Sequence, residues 1–274
     1  MMDRFGHVGW NALIGVPLVA GLLVIIGIGL IWMPYDPIAI DLAHPLGSPG
    51  LYHWFGTDEF GRDVLSRSML GARISVLLAL ATVAVAITVG AALGLLAGYL
   101  RGRTDRLLMM ITDAVLAFPG ILLALALIAV LGSSDGSIVL ALSTAYTPSV
   151  VRVVRATVLS IREREFIEAS RTAGDSPLET ISRHILPNVL PPVVVLATSL
   201  FGWAMLSESA LSFLGVGVPP PAPTWGNMLS ESRPYMDVAS WLSIVPGLCI
   251  AGTLLGVNLL GDALRDWLDP RRQT

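Results

Sequence analysis

Hydrophobic residues along this chain are gathered into long runs that contain no charged side chain. The core of a bilayer, about 30 Å thick, is crossed by about 20 apolar residues in an α-helix. Five runs are long enough, and a sixth is shorter but ends at arginines whose long side chains can reach the membrane surface. The pattern predicts an all-α polytopic membrane protein with six transmembrane helices, at Val8–Tyr35, Ile74–Leu100, Ala114–Ser134, Gly136–Val151, Ile185–Ser207 and Val238–Gly261.

Glycines recur at every fourth position in two of these runs. One series is Gly90, Gly94 and Gly98, and the other is Gly252 and Gly256. Such spacing provides flat faces on which membrane helices approach closely. The alternative is that glycine is simply frequent in membrane helices.

The charge between the fourth and fifth predicted spans is unusually dense for so apolar a chain. Residues 163–187 read EREFIEASRTAGDSPLETISRHILP. Glu163, Glu165 and Glu168 lie among strong helix formers, and Gly174 can adopt the left-handed conformation that ends a helix. The spacing therefore predicts a polar helix that a glycine terminates.

A second short helix is predicted directly after that glycine. Ser176, Pro177 and Glu179 form a capping box with proline at the first helical position. An apolar stripe follows at Leu178, Ile181 and Ile185, and we expect the helix to stop by Pro187. Together the two helices predict a rigid surface feature that fits a partner.

The distribution of arginines predicts the orientation. All 17 basic residues are arginine. If the N-terminus is inside, four arginines lie outside, at Arg62, Arg67, Arg73 and Arg233, and the other thirteen lie inside. Cytoplasmic loops carry the excess of basic residues. We therefore expect both termini and residues 163–187 in the cytoplasm, with the chain in the plasma membrane.

Composition excludes several functions. Of 274 residues, 54% are hydrophobic and 14% are charged, and the mean hydropathy is +0.73. The phosphate-binding loop of ATPases needs a lysine, and the sequence has none, so a separate chain must hydrolyse ATP if ATP is used. The single Cys249 excludes an intrachain disulfide and a cysteine metal cluster. No basic patch indicates nucleic-acid binding.

Residues 163–187 resemble the signature of permease subunits of binding-protein-dependent ABC importers. That signature is Glu-Ala-Ala, three residues, Gly, nine residues and a hydrophobic turn that closes in Leu-Pro. Here it is Glu168-Ala169-Ser170, Gly174, nine residues and His184-Ile185-Leu186-Pro187. Ser170 replaces the second alanine, and His184 replaces the usual isoleucine in the form found in the peptide branch.

Further blocks resemble the C-type subunit of the dipeptide/oligopeptide/nickel permease group. They cover most of the chain together with the signature. They are Trp54–Asp63 (WFGTDEFGRD), Glu208–Gly215 (ESALSFLG) and Gly261–Pro270 (GDALRDWLDP).

The resemblance implies the MetI-like permease fold of type I ABC importers. It implies a heterodimer with a paralogous B-type permease, two cytoplasmic ATPase subunits that hold ATP and Mg, and an extracytosolic solute-binding protein. We expect an anchor helix and extracytosolic segment at residues 1–73, and the permease domain at 74–274 with coupling helices at 161–187. The implied ATPase-docking residues are Glu165, Glu168, Ala169, Ser170, Gly174, Asp175, Ser176, Pro177, Leu186 and Pro187.

Three polar residues in or near the spans are candidates for the transport pathway or for contacts between helices. Asp113 either has a functional role, as intramembrane carboxylates often do, or forms a structural ion pair with an arginine at the membrane surface. Glu208 either lines the pathway mouth or caps a turn. Asn258 is expected to form an interhelical hydrogen bond. His44 and His53 could be imagined as nickel ligands, but no third ligand lies at metal spacing, so we interpret them as ordinary loop residues.

Short peptides are the predicted solute, and nickel import by the same kind of permease is the alternative. An ion-coupled secondary transporter is a rival from another class. That class predicts inverted repeats and carboxylates buried in mid-membrane. Here only Asp113 and Glu208 come close, both near span ends. No catalytic Ser/His/Asp set or zinc spacing indicates a membrane enzyme.

Overall fold

The computed structural model describes residues 10–268, whose regular elements are all helical. Helices α2, α5 and α8 pack together, while α1 lies against α10 at the periphery. A π-helical turn over Ile181–Ile185 joins α7 to α8. The α-helices are α1 Trp10–Ile31, α2 Val64–Leu100, α3 Gly102–Leu116, α4 Gly120–Leu131, α5 Asp135–Ile161, α6 Glu165–Thr172, α7 Pro177–Thr180, α8 Leu186–Phe213, α9 Trp225–Ser232 and α10 Trp241–Leu268.

Five helical stretches are long and apolar enough to cross a membrane, and there are six if α3 and α4 count as one broken span. The span predicted at Ala114–Ser134 is not one continuous helix, because the chain bends by 89° between α3 and α4. Pro119 has no N–H to donate and disfavours helical geometry at Phe118. Helix α4 alone has 12 residues, about 18 Å, which is shorter than the bilayer core.

Helix α2 begins ten residues before its predicted span, at Val64. Asp63 caps it by accepting a hydrogen bond from the Ser66 amide at 2.8 Å. Its 37 residues extend about 55 Å, so one end projects beyond the bilayer core. Residues 73 and 74 both lie within α2, and the division of the chain there stays a prediction.

The glycine series on α2 forms the contact with α5. A Cβ atom on Gly94 would lie 2.7 Å from the Cβ of Val154, and one on Gly90 would lie 2.5 Å from the Cβ of Val150. Gly98 faces Val158 in the same manner. These distances are too short for any side chain, so the close approach predicted for this series is confirmed.

Only one glycine of the second series makes a close contact. A Cβ on Gly256 would lie 2.9 Å from the Cβ of Leu18 on α1, whereas Gly252 faces open space. Helix α1 buries little of its surface within the chain. Because its sequence is almost wholly apolar, its exposed side fits lipid. The predicted start of this span, at Val8, lies outside the described residues.

The proline-rich segment between α8 and α10, residues 214–240, contains a helix that hydropathy did not predict. Trp225, the first residue of α9, is buried, and its Nε1 donates to the Ser68 carbonyl at 3.0 Å. Thr224 caps α9 by accepting from the Asn227 amide at 3.0 Å. This proline-rich segment is therefore hydrogen-bonded to the first turns of α2.

Candidate functional site

Residues 161–187, here called the coupling segment, connect α5 to α8 at one end of the bundle. Helix α6 places Ile167 and Ser170 in buried positions and leaves Glu165, Glu168 and Ala169 exposed. Two acidic side chains in the first turn of α6 interact favourably with the positive end of the helix dipole. The segment thus packs by one face and presents the other.

Gly174 forms the break between the two short helices, as predicted. Its φ is +93°, the left-handed region that glycine adopts without steric cost. The Asp175 amide donates to the Ser170 carbonyl at 3.2 Å, and the Ser170 hydroxyl donates to Asp175 Oδ2 at 2.6 Å. A buried hydroxyl and a carboxylate therefore fix the turn across the break.

The capping box at the start of α7 is confirmed. The Glu179 amide donates to Ser176 Oγ at 3.3 Å, and the Ser176 amide donates to Glu179 Oε2 at 2.8 Å. Pro177 occupies the first turn, where no N–H is needed. Hydrogen bonds from the Ser176 hydroxyl and amide lower the pKa of Glu179.

The predicted stop at Pro187 is wrong, because the helix continues into α8. The π-helical turn before Pro187 widens the spacing, and the Leu186 amide donates to the Ile181 carbonyl five residues back. Proline is tolerated there because the wider turn relieves its clash with the preceding turn. Asn188 Nδ2 donates to the His184 carbonyl at 2.8 Å and so helps to satisfy this irregular turn.

The predicted apolar stripe holds only in part. Ile185 is buried and Ile181 is half-buried, but the Leu178 side chain is 74% exposed. Pro177, Leu186 and Pro187 are also exposed. Exposed apolar side chains beside exposed carboxylates are typical of a surface that binds another protein.

Two arginines secure the coupling segment to α2. Arg101, directly after α2, forms an ion pair with Glu163, and the pKa of Glu163 is lowered by this hydrogen bond. Arg162 Nη1 donates to the Tyr99 carbonyl at 2.7 Å. Sequence reasoning missed both contacts and placed Glu163 on a helix, whereas it lies in the turn before α6. Their residues are more than 60 positions apart, so local pattern carries no signal for them.

The structure does not bring the three polar span candidates together. Asp113 Oδ1 accepts from Arg152 Nη2 at 2.7 Å between α3 and α5, which is the ion-pair alternative. Glu208 is buried near the C-terminal end of α8 and accepts a hydrogen bond from Ser212 Oγ at 2.8 Å. Asn258 is exposed and faces Gly202 on α8. Roles of these residues in the pathway stay predictions.

A buried charge cluster occupies the end of the bundle opposite the coupling segment. Arg62 Nε lies 2.6 Å and Arg67 Nε 3.2 Å from Asp58 Oδ2, and Arg67 Nη2 lies 2.9 Å from Glu231 Oε2 on α9. Glu59 lies beside them, and burial raises its pKa. Sequence reasoning missed this cluster, although the charges in Trp54–Asp63 were its signal. It joins the segment after α1 to α9.

Comparison with known families accounts for this arrangement. The family model described as "Binding-protein-dependent transport system inner membrane component" matches residues 90–274. The chain belongs to this family. Its members are transport permeases of the inner membrane, and the match includes the coupling segment. Membership decides against an ion-coupled secondary transporter.

Relatives of this permease match it over most of their length. A putative peptide transport system permease protein of Brucella suis is 43% identical over 91% of this chain and 86% of its own. The dipeptide transport system permease protein DppC of Alkalihalophilus pseudofirmus is 45% identical over 84% of this chain and 75% of its own. The glutathione transport system permease protein GsiD of Pectobacterium atrosepticum is 41% identical over 93% and 87%.

Solved structures confirm the predicted MetI-like fold. A chain of the MetNI methionine ABC transporter, in an inward-facing conformation, superposes with a TM-score of 0.61 at 18% identity. The superposition covers 73% of this permease and 94% of that chain. An amino acid ABC transporter gives a TM-score of 0.52 at 15% identity, with 73% and 92% covered. At such identities the likeness concerns the fold alone.

Proposed function

We propose that this permease carries short peptides across the plasma membrane of a prokaryote in an ATP-driven importer. One observation carries the choice of solute: relatives named for peptide, dipeptide and glutathione transport are all at least 41% identical over most of the chain. All three names denote peptides or a peptide derivative. A pathway for such solutes binds them weakly, which leaves selection to the binding protein.

The coupling segment is the proposed docking site for the ATPase subunits. Its two short helices are fixed at Gly174, at the Ser176–Glu179 box and at the Arg101–Glu163 ion pair. Leu178, Pro177 and the α6 carboxylates remain exposed on this fixed frame. A rigid surface transmits movement of a partner to the helices on either side, here α5 and α8.

The remaining partners follow from the same proposal. A paralogous B-type permease completes the pathway, two ATPase subunits supply ATP and Mg, and an extracytosolic binding protein delivers the peptide. Both termini and the coupling segment face the cytoplasm. The exposed apolar faces of α2 and α8 provide surface for the second permease and for lipid.

Uptake by the complete complex tests the solute. Proteoliposomes that contain the permease with its native partners should accumulate labelled di- to pentapeptides only when ATP and the binding protein are both supplied. Radioactive nickel, supplied under the same conditions, should not accumulate. The matched control is a complex whose ATPase subunits are inactivated, which should take up neither solute. Entry of nickel without entry of peptide would replace the peptide proposal with its alternative.

A further inference from the structure

An exposed apolar patch lies in the segment between α1 and α2. The side chains of Leu51, Tyr52 and Trp54 are 94%, 84% and 63% exposed. The chain beneath them is well connected: the Leu46 amide donates to the Asp58 carbonyl at 2.9 Å, and Thr57 Oγ1 donates to the His44 carbonyl at 2.6 Å. Large apolar side chains held outward on a fixed frame mark a binding surface.

The height of the patch relative to the membrane follows from α1. This helix has 22 residues, about 33 Å, which matches the hydrocarbon core. Tyr35 lies four residues beyond its last residue, Ile31, and its hydroxyl donates to the Tyr52 carbonyl at 2.9 Å. The headgroup layer is roughly 5–8 Å deep on each side. Tyr52 is therefore tied to the level of that layer.

Helix α10 gives the same level independently. Trp241 is its first residue, and its Nε1 donates to the Thr57 carbonyl at 3.3 Å. Thr57 is three residues from Trp54 along the chain. One contact is made by Tyr35, which follows α1, and the other by Trp241, the first residue of α10. Together they place both sides of the patch where the apolar spans begin.

The chemistry of the patch favours lipid over a protein partner. Tyrosine and tryptophan are enriched where membranes meet water, because each combines an apolar ring with a polar group. Between residues 42 and 57 the sequence has no Asp, Glu, Lys or Arg. Ile31, the last residue of α1, and the following Trp32 are also exposed apolar side chains.

We infer that Leu51, Tyr52 and Trp54 form an interfacial anchor that inserts into the lipid headgroup layer at the end of the bundle opposite the coupling segment. The anchor holds the segment after α1 at a fixed depth. Asp58 of that segment contacts the buried Arg67, which pairs in turn with Glu231 on α9. The inference depends on α1 and α10 crossing the membrane, not on the identity of the solute.

Spin labels provide a direct test in the full-length permease, purified with its native partners and placed in phospholipid nanodiscs. A Cys249→Ser background removes the single native cysteine, and Leu51→Cys or Trp54→Cys then receives the label. Oxygen concentrates in lipid and a nickel chelate stays in water, so the ratio of their collision rates reports depth. Leu23→Cys, in the middle of α1, serves as the lipid reference, and the same spin label free in buffer serves as the water reference.

The expected oxygen-to-nickel ratio at residues 51 and 54 lies between the two references and clearly above that of the water reference. A ratio equal to that of the water reference would place the patch in water and overturn the inference. Protection from both reagents would show a protein cover and overturn it as well.

A second measurement avoids labels altogether. Lipids brominated near the headgroup should quench part of the tryptophan fluorescence, and the Trp54→Phe variant should lose that part. Unchanged quenching in Trp54→Phe would contradict the anchor. Trp203→Phe, which changes an exposed residue within α8, controls for the loss of any one tryptophan.

Discussion

At the scale of single residues, the charges opposite the coupling segment matter because they are buried. Two arginines and three carboxylates share the space between the start of α2 and α9. Truncating one member of a buried charge pair leaves its partner unpaired, which usually costs about 3–5 kcal/mol. Glu59 differs from the others, because its only arginine contact within residues 10–268, with Arg62 Nη2, is long, at 3.3 Å.

Replacing Glu59 with glutamine should stabilise the protein at neutral pH. Burial, then the neighbouring Asp58 and Glu231, raise the pKa of Glu59 above its ordinary 4.5. The folded state therefore holds this proton more tightly than the unfolded state, and stability falls as pH rises from 4.5 through the raised value. Glu59→Gln removes that fall, so this variant should unfold at a higher temperature than wild type at pH 7. Thermal unfolding of the purified complex across this range measures it.

Glu231→Gln is the matched control for that prediction. Glu231 accepts the 2.9 Å bond from the buried Arg67, so this variant should lower the unfolding temperature. A Glu59→Gln protein that is less stable than wild type at pH 7 would show that the contact with Arg62 outweighs burial.

At the scale of elements, local patterns predicted the coupling segment well where its contacts are local. The box at Ser176 and Glu179 and the left-handed Gly174 depend on residues within three positions. The exposed Leu178 was placed wrongly because periodicity shows which residues share a face, not what lies opposite that face. The stop at Pro187 failed because a π-helical turn has no sequence pattern of its own.

Changes on the coupling segment should abolish transport without preventing assembly in the membrane. Glu168→Lys reverses an exposed charge that a docked partner would face. Gly174→Asp places a side chain at φ +93°, which costs about 1 kcal/mol or more. Peptide uptake by proteoliposomes should fall to background, while the amount of permease in the membrane stays close to that of wild type.

Milder variants separate docking from folding. Glu168→Gln removes the charge without reversing it, and Gly174→Asn adds a side chain similar in size to that of aspartate but without its charge. Glu168→Gln should retain more uptake than Glu168→Lys, and Gly174→Asn should retain more uptake than Gly174→Asp. Full uptake by each of the two single variants, Glu168→Lys and Gly174→Asp, would contradict the docking role.

The contact between α2 and α5 should not tolerate a side chain on its glycine series. In Gly94→Ala the new methyl group would meet Val154 at 2.7 Å, and the helices would have to separate at a cost of about 1–3 kcal/mol. Gly252→Ala is the control, because that position faces open space. Thermal aggregation of the purified complex should occur at a lower temperature for Gly94→Ala alone. Equal aggregation temperatures would show that the contact yields without cost.

At the scale of the whole molecule, hydropathy predicted the spans but not their ends. Helix α2 extends back to Val64, past Arg67, whose charge is buried against Glu231, 164 residues away in sequence. A hydropathy window covers only neighbouring residues and ends a predicted span at a charged residue, so it cannot detect such a pairing. The bend at Pro119 has a local cause, but hydropathy registers only charge and apolarity and therefore treated the uncharged run as one span.

Orientation is the property on which the whole proposal depends, and cysteine labelling tests it. Of the thirteen arginines assigned to the inside, Arg4, Arg271 and Arg272 lie outside the described residues. Those of the coupling segment and of α3 lie at the same end of the bundle. This excess of positive charge favours the cytoplasmic side, which is also where ATPase subunits would meet the exposed helices.

In a Cys249→Ser background, Ser182→Cys should therefore react with a membrane-impermeant maleimide in inverted vesicles and not in intact cells. Ser182 is preferable to Ser176, whose hydroxyl caps α7. Ser48→Cys, exposed at the opposite end, should show the reverse pattern. The two labels control for each other, since a leaky membrane would label both. If Ser182→Cys reacts in intact cells, the coupling segment faces outward and cannot dock a cytoplasmic ATPase.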